Sequence, residues 1–135
     1  MDIKQIIVIR KDLNMRKGKM VAQGAHASMG AVLSVAQDKN SDRGNLFIPL
    51  KNEAGELTSL GLWLNGKFKK ITVSVDTEKE LLELTEQVKK LGIMHCLIQD
   101  SGLTEFGGVP TYTALAIGPN TSEILDPITG HLKLL

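Results

Sequence analysis

The sequence is short of several things, and each shortage excludes something. It has one cysteine, Cys96, so no internal disulfide can form. No apolar run approaches the roughly 20 residues that cross a bilayer, and no leader pattern opens the chain, since Met1-Asp2-Ile3-Lys4 runs straight into an apolar stretch. The expected setting is the reducing cytoplasm, with no membrane partner. Metal-ligand spacing is missing too. His95 and Cys96 are adjacent and, on a strand, point to opposite faces. There is no Gly-x-Ser-x-Gly elbow and no phosphate-binding loop, and Gly18, Gly24 and Gly30 have the wrong spacing for a dinucleotide fingerprint. No metal and no cofactor are expected. Repeats and low-complexity segments are also lacking, and 135 residues make a single domain, 1–135, able to bury a normal core.

Net charge is only +1, which on its face argues against a polyanionic partner. Its distribution argues the other way. Residues 1–43, 44–75 and 76–135 carry +4, +2 and −5. A basic amino-terminal part can meet phosphates while the acidic part faces away; ordinary surface charge fits the same count.

What is there is organised around Arg10 to Gly30. An apolar strand, Ile3 to Arg10, contains the β-branched run Ile6-Ile7-Val8-Ile9, which suits a central strand buried on both faces. A helix follows, read from Lys19 to about Gln37. Lys19, Gln23 and His26 share one face of it at the helical period, interleaved with Ala22, Gly24, Ala27 and Gly30, small enough for a ligand or backbone to come close. A solvated amphipathic stripe gives the same pattern. Asp38 to Gly44 reads as a polar loop. In 45–66, Pro49 excludes a central strand, Asn52 to Gly55 reads as a turn, and Asn65-Gly66 fits either a hairpin or the end of a short helix. Trp63 fits a core anchor or a base-stacking residue.

Ile71 to Val75 is a strand. Asp76-Thr77 with Glu80 offers a helix cap and capping-box partner, Leu81, Leu84, Val88 and Leu91 the apolar stripe, and Gly92 the stop. Met94 to Gln99 is a third strand, ended by Asp100-Ser101-Gly102. Thr111 to Ile117 is a fourth, with Thr111, Thr113, Leu115 and Ile117 on one face and Gly118-Pro119 as its stop; Thr121 can cap a last short helix.

Strands separated by helices should be parallel, so the carboxyl ends of the first three share one edge. Lys19 follows the first strand closely and Asp100 directly follows the third. A fourth strand antiparallel to the third would start on that edge, bringing Thr104 and Thr113 there as well. Such an edge is where α/β sheets bind ligands. A lysine, an amide, a carboxylate and two hydroxyls gathered there can polarise a water and stabilise developing negative charge, which fits hydrolysis of an activated ester. A structural ion pair and an Asx turn also account for Lys19 and Asp100.

Ile7-x-Ile9-Arg10-x-Asp12-Leu13, then Gly18-Lys19-x-x-Ala22-Gln23-x-x-His26-Ala27, closely resembles the amino-terminal signature of the type-2 peptidyl-tRNA hydrolases. Leu97-Ile98-x-Asp100-x-Gly102-x-Thr104, Thr113-x-Leu115-x-Ile117-Gly118-Pro119 and Thr129-Gly130-His131-Leu132-Lys133-Leu134 match later motifs, in order, over almost the whole chain. The resemblance implies a three-layer α/β/α fold with a four-stranded mixed sheet whose last strand is antiparallel. It implies cleavage of the ester between a peptide and the 3′ ribose of tRNA, and a homodimer. The functional residues would fall on Lys19, Gln23, Asp100, Thr104 and Thr113, with His26 in possible support. Ser101 and Leu103 depart from the family, which usually has Ala and often Arg there, so tRNA contacts must use other groups; Arg10, Lys11, Arg16, Lys17, Lys67, Lys69 and Lys70 are the candidates. Residues 45–62 also look longer than the usual connection. These two departures motivate the alternative of a non-catalytic tRNA-binding or adaptor protein on the same fold, and a small-nucleotide esterase is a third reading.

Overall fold

The β-branched run becomes the middle of strand β1 (Ile3–Arg10), where Ile6, Ile7, Val8 and Ile9 are all buried. The computed structural model describes residues 1–38 and 44–135; residues 39–43, most of the segment read as a polar loop, lie outside them. After a 3-10 turn, Lys11–Leu13, come helix α1 (Lys17–Leu33), helix α2 (Ser59–Leu64), strand β2 (Lys70–Val75) and helix α3 (Glu78–Lys90). Strands β3 (His95–Asp100) and β4 (Thr111–Thr121), helix α4 (Ser122–Thr129) and strand β5 (Lys133–Leu134) complete the chain.

The sheet is mixed, in the order β3-β4-β1-β2-β5. β1 and β2 are parallel, β4 is antiparallel to both β1 and β3, and β5 is antiparallel to β2. The expected four strands are therefore corrected to five. The fifth is only two residues long, too short for any alternation to announce it, and is defined by the pairs Val73↔Leu134 and Ser74↔Lys133.

Alternation along β1 divides the core. Ile6 and Val8 pack with Leu81, Leu84 and Val88 of α3 and with Leu125 and Ile128 of α4. Ile7 and Ile9 pack with Ala27 and Ala31 of α1. Burying side chains of this size contributes about 1.5–3 kcal/mol each.

Three boundaries differ from the sequence reading, each for a local reason. α1 begins two residues earlier, at Lys17, and ends at Leu33, where the Ser34 N–H closes on Gly30 O before Gln37 pairs with Phe47 in an isolated bridge. The Leu60–Leu64 run is helical, capped by Thr58 Oγ1 accepting from Gly61 N, and Asn65-Gly66 ends that helix rather than turning a hairpin. β4 does not stop at Gly118-Pro119. It continues to Thr121 because Asn120 and Thr121 still pair with Lys4 and Ile3, and Pro119 sits at the irregularity opposite Gln5, where a strand needs no donor. The third helix keeps its cap, Thr77 Oγ1 accepting from Glu80 N at 3.0 Å, and buries Leu81, Leu84 and Val88, but Leu91, read into that stripe, is the carboxyl cap and exposed.

Candidate active site

α1 starts just beyond the carboxyl end of β1, and its first two turns carry Lys19 and Gln23 over the ends of β3 and β4. Asp100 is the last residue of β3. It shares a face with Cys96 and Ile98, which pack toward α1. The result is a connected set. Lys19 Nζ donates to Asp100 Oδ1 at 2.8 Å and to Thr104 Oγ1 at 2.7 Å. Gln23 Nε2 donates to the same Asp100 oxygen at 3.4 Å. Thr113 Oγ1 donates to Gln23 Oε1. The other Asp100 oxygen accepts from Gly102 N at 2.9 Å. All five residues of the expected catalytic set are thus brought together; His26 is exposed on α1 and, among the described residues, makes no hydrogen bond to them.

Thr113 arrives by a route the sequence pattern did not contain. Ile98 pairs with Ala114, but Gln99 pairs with Tyr112, so Thr113 is the extra residue of a β-bulge. Regular alternation would put Thr113 on the face of Leu115 and Ile117, which pack toward α3 and α4. The bulge turns it to the α1 side instead, where it is fully buried against Gln23.

The electrostatics are those of a held ion pair. The Lys19 and Asp100 side chains are 14% and 12% exposed. The Lys19 ammonium, then the Gly102 N–H, hold the Asp100 carboxyl below its ordinary value of 3.8, against the opposing effect of burial. An ammonium has three donors. Two of Lys19's are engaged, and the third has no acceptor among the described residues, which leaves one N–H for a ligand.

The loop after β3 supports this set through Gly102, already read as the strand's stop, and through Glu105 and Phe106, which the sequence reading passed over. Gly102 has φ +84°, a conformation that suits glycine, and a Cβ there would lie 2.1 Å from Val109 O. Glu105 accepts from Arg16 N at 3.4 Å, tying the loop to the start of α1, and Phe106 places its ring centroid 5.8 Å from Lys19 Nζ. An acid three positions beyond the Asp-x-Gly turn was the available signal for the first. Leu103, at the departure from the family pattern, is 83% exposed.

The basic candidates separate into three situations. Arg10 is buried; its guanidinium donates to both oxygens of Asp12 and, at 3.0 Å, to Tyr112 O, next to the bulge. Lys11, Arg16 and Lys17 are exposed near the site, Arg16 facing Glu105 at 3.8 Å. Lys67, Lys69 and Lys70 lie at the start of β2, the opposite end of the strands from Asp100. Lys67 is exposed, Lys69 pairs with Asp2 at 3.2 Å, and Lys70 Nζ sits 3.1 Å from the Phe68 ring centroid, where burial pushes its pKa down. Trp63 is a core anchor, its Nε1 donating to Lys69 O. Among the described residues no group of three His, Cys, Asp or Glu is placed to hold a metal, and no helix is long and apolar enough to cross a membrane.

Fold and site together define a class: an α/β protein whose lysine–carboxylate pair, fixed amide and hydroxyls are suited to acyl-ester chemistry. A family model described as peptidyl-tRNA hydrolase PTH2 matches residues 3–135. A peptidyl-tRNA hydrolase of Thermococcus onnurineus is 42% identical, over 98% of this chain and 97% of the relative, and one of Methanocaldococcus jannaschii is 41% identical, over 98% and 100%. A probable peptidyl-tRNA hydrolase 2 of Dictyostelium discoideum is 37% identical and longer, with 55% of its length covered. The chain belongs to the PTH2 family of peptidyl-tRNA hydrolases. A solved Agrobacterium protein of unknown function, Atu0240, shares the fold at a TM-score of 0.57 and 14% identity, over 100% of this chain and 98% of that one.

Proposed function

We infer that the chain hydrolyses the ester between the peptide and the 3′ ribose of peptidyl-tRNA, with Lys19, Gln23, Asp100, Thr104 and Thr113 as the working set. Family membership supports the reaction. The observation that carries the assignment of residues is the single Lys19 ammonium shared by Asp100 and Thr104 with one donor to spare.

Water adds to the ester carbonyl, the acyl–oxygen bond breaks, and the proton released from water ends on the ribose oxygen. The free Lys19 N–H stabilises the oxyanion or the departing oxygen. Asp100 holds the ammonium and orients the water. Its lowered pKa makes it a weak proton acceptor at neutral pH, so orientation is its larger contribution. Gln23 positions the ester. Its amide cannot turn while Thr113 donates to Oε1 and Asp100 accepts from Nε2. Thr113 is therefore a positioning residue.

The exposed Lys11, Arg16 and Lys17 contact phosphates nearest the site, and Lys67 contacts a more distant part of the tRNA. Arg10, engaged with Asp12 and Tyr112, holds β4 in place. The two core clusters on opposite sides of β1 support the three-layer arrangement. The unpaired thiol of Cys96 supports a reducing cytoplasm, and the family resemblance supports a homodimer.

The test is release of free peptide from purified peptidyl-tRNA by the chain, with chelator present. The proposal expects peptide and intact tRNA as products. Tight tRNA binding without release contradicts it and favours the adaptor.

A further inference from the structure

The catalytic set uses one flank of α1; the other flank borders an apolar groove that the reaction so far leaves unused. It has a volume of about 880 Å³ and runs between α1 and β2, over β1. Ile7 and Ile9 line it from the sheet, and Met20, Ala25, Met29 and Phe68 line it from the sides. Val21 and Met29 are exposed at 72% and 58%, large apolar side chains with no cover among the described residues.

We propose that this groove takes the peptide part of the substrate, extending away from the ester held at Lys19 and Asp100. The inference rests on the peptidyl-ester reading of the site. Continuity is the first argument. Lys17 lines the groove from the first turn of α1, two residues before Lys19 and on the opposite side of the helix, so the groove reaches the amino-terminal end of α1 and a peptide leaving the ester enters it by crossing that turn. The turn between them is passable: nothing stands within 4 Å of a Cβ built on the exposed Gly18. Length is the second. Lys17 and Val32 both line the groove, which makes it about 22 Å long at about 1.5 Å per helical residue. That accommodates an extended peptide of roughly six or seven residues. Chemistry is the third. An aliphatic wall suits apolar side chains and rejects a phosphodiester backbone, and Met20 and Met29 are flexible, polarisable groups able to adapt to varied sequences. Of the two cations that line it, Lys70 is already over the Phe68 ring, and Lys17, at the mouth, is the one given to tRNA phosphates.

Two substrates, one peptide probe and three variants test it. The substrates are one tRNA charged with a single N-acetylated residue and the same tRNA charged with an apolar hexapeptide. The proposal expects the hexapeptidyl substrate to have a KM lower by about tenfold with similar kcat, the signature of uniform binding away from the reacting bond. Ala25→Trp, which fills the groove from an exposed helical position, should abolish that advantage and leave the short substrate unaffected; Val21→Lys should reduce it. A fluorescein-labelled apolar hexapeptide amide should bind saturably to the parent and to Asp100→Asn, and about tenfold more weakly to Ala25→Trp. Equal KM for the two substrates with no saturable peptide binding overturns the proposal. So does Ala25→Trp changing the sedimentation from dimer to monomer while slowing both substrates alike, since the groove would then be filled by a second copy. Peptide binding that Ala25→Trp weakens, with neither substrate hydrolysed, supports the groove and sinks the ester reading instead.

Discussion

Thr113 donates its hydroxyl proton to Gln23 Oε1, and it does so from a β-bulge. Without the extra residue in β4 the same hydroxyl would point to the far side of the sheet. One irregularity in the ladder therefore sets the direction of the Gln23 amide, and through it the second hydrogen bond to Asp100 Oδ1.

Thr113→Val keeps the shape and removes the donor. It leaves a buried amide oxygen unsatisfied, which costs about 1–3 kcal/mol of stability. With the amide free to turn, kcat should fall by about tenfold while KM changes little, and Thr113→Ser should restore both. Thermal melts and steady-state kinetics on peptidyl-tRNA read the two effects; unchanged kcat in Thr113→Val would remove the positioning role.

Gly102→Ala tests the loop that carries Thr104. The added Cβ meets Val109 O at 2.1 Å in a backbone conformation with φ +84°. Strain of this kind costs about 1–3 kcal/mol, and relieving it displaces the Gly102 N–H from Asp100. Both Tm and kcat should drop. Gly107→Ala, at φ +59° with open space around it, should lose stability but keep activity.

How far the sequence revealed this site differs residue by residue. Lys19 and Gln23 were legible because a helix repeats, and Asp100 because it directly follows a strand whose carboxyl end lies on the shared edge. Thr113 was placed at the right edge by the antiparallel start of β4, but alternation put it on the face of Leu115 and Ile117, and the bulge reverses that; an inserted residue leaves no mark in a pattern of apolar and polar letters. Arg10 looked like any other base. Its neighbour at two positions, Asp12, takes up the charge, and only the turn at Lys11–Leu13 brings the two together. β5 is too short to have a pattern, and 45–58 folds through isolated bridges, Gln37↔Phe47 and Lys51↔Leu57, which follow from packing rather than periodicity.

The lowered pKa of Asp100 gives a pH prediction. A carboxylate whose folded pKa lies below the unfolded value contributes stability that is fully present above the unfolded value and is lost as pH falls through the folded one. Stability should therefore hold down to the ordinary carboxylate value of 3.8 and decline below it, and kcat/KM should not show an Asp100 titration near neutrality. Denaturant midpoints across this range, compared with Asp100→Asn, check it: the variant should lose the Asp100 share of the acid-side decline. A titration of that share at or above the ordinary value would contradict the held ion pair.

Binding of tRNA should weaken steeply with salt, because each neutralised phosphate releases condensed counterions. Replacing Lys11, Lys17 and Lys67 together by Ala should reduce the slope of log K against log salt by about 2–3, at roughly 0.7–0.9 per contact. Arg10→Ala should instead act mainly on stability, since its guanidinium is already bonded within the protein. Filter-binding titrations at several salt concentrations separate the two.

The most direct measurement is single-turnover hydrolysis of peptidyl-tRNA by the parent, Lys19→Ala and Asp100→Asn, each shown by thermal melt and circular dichroism to be folded. The account predicts that either variant is slower by about a hundredfold or more, the cost of removing one preorganised electrostatic group, while the double variant is little worse than the slower single one. Parent-like rates in both folded variants would contradict it.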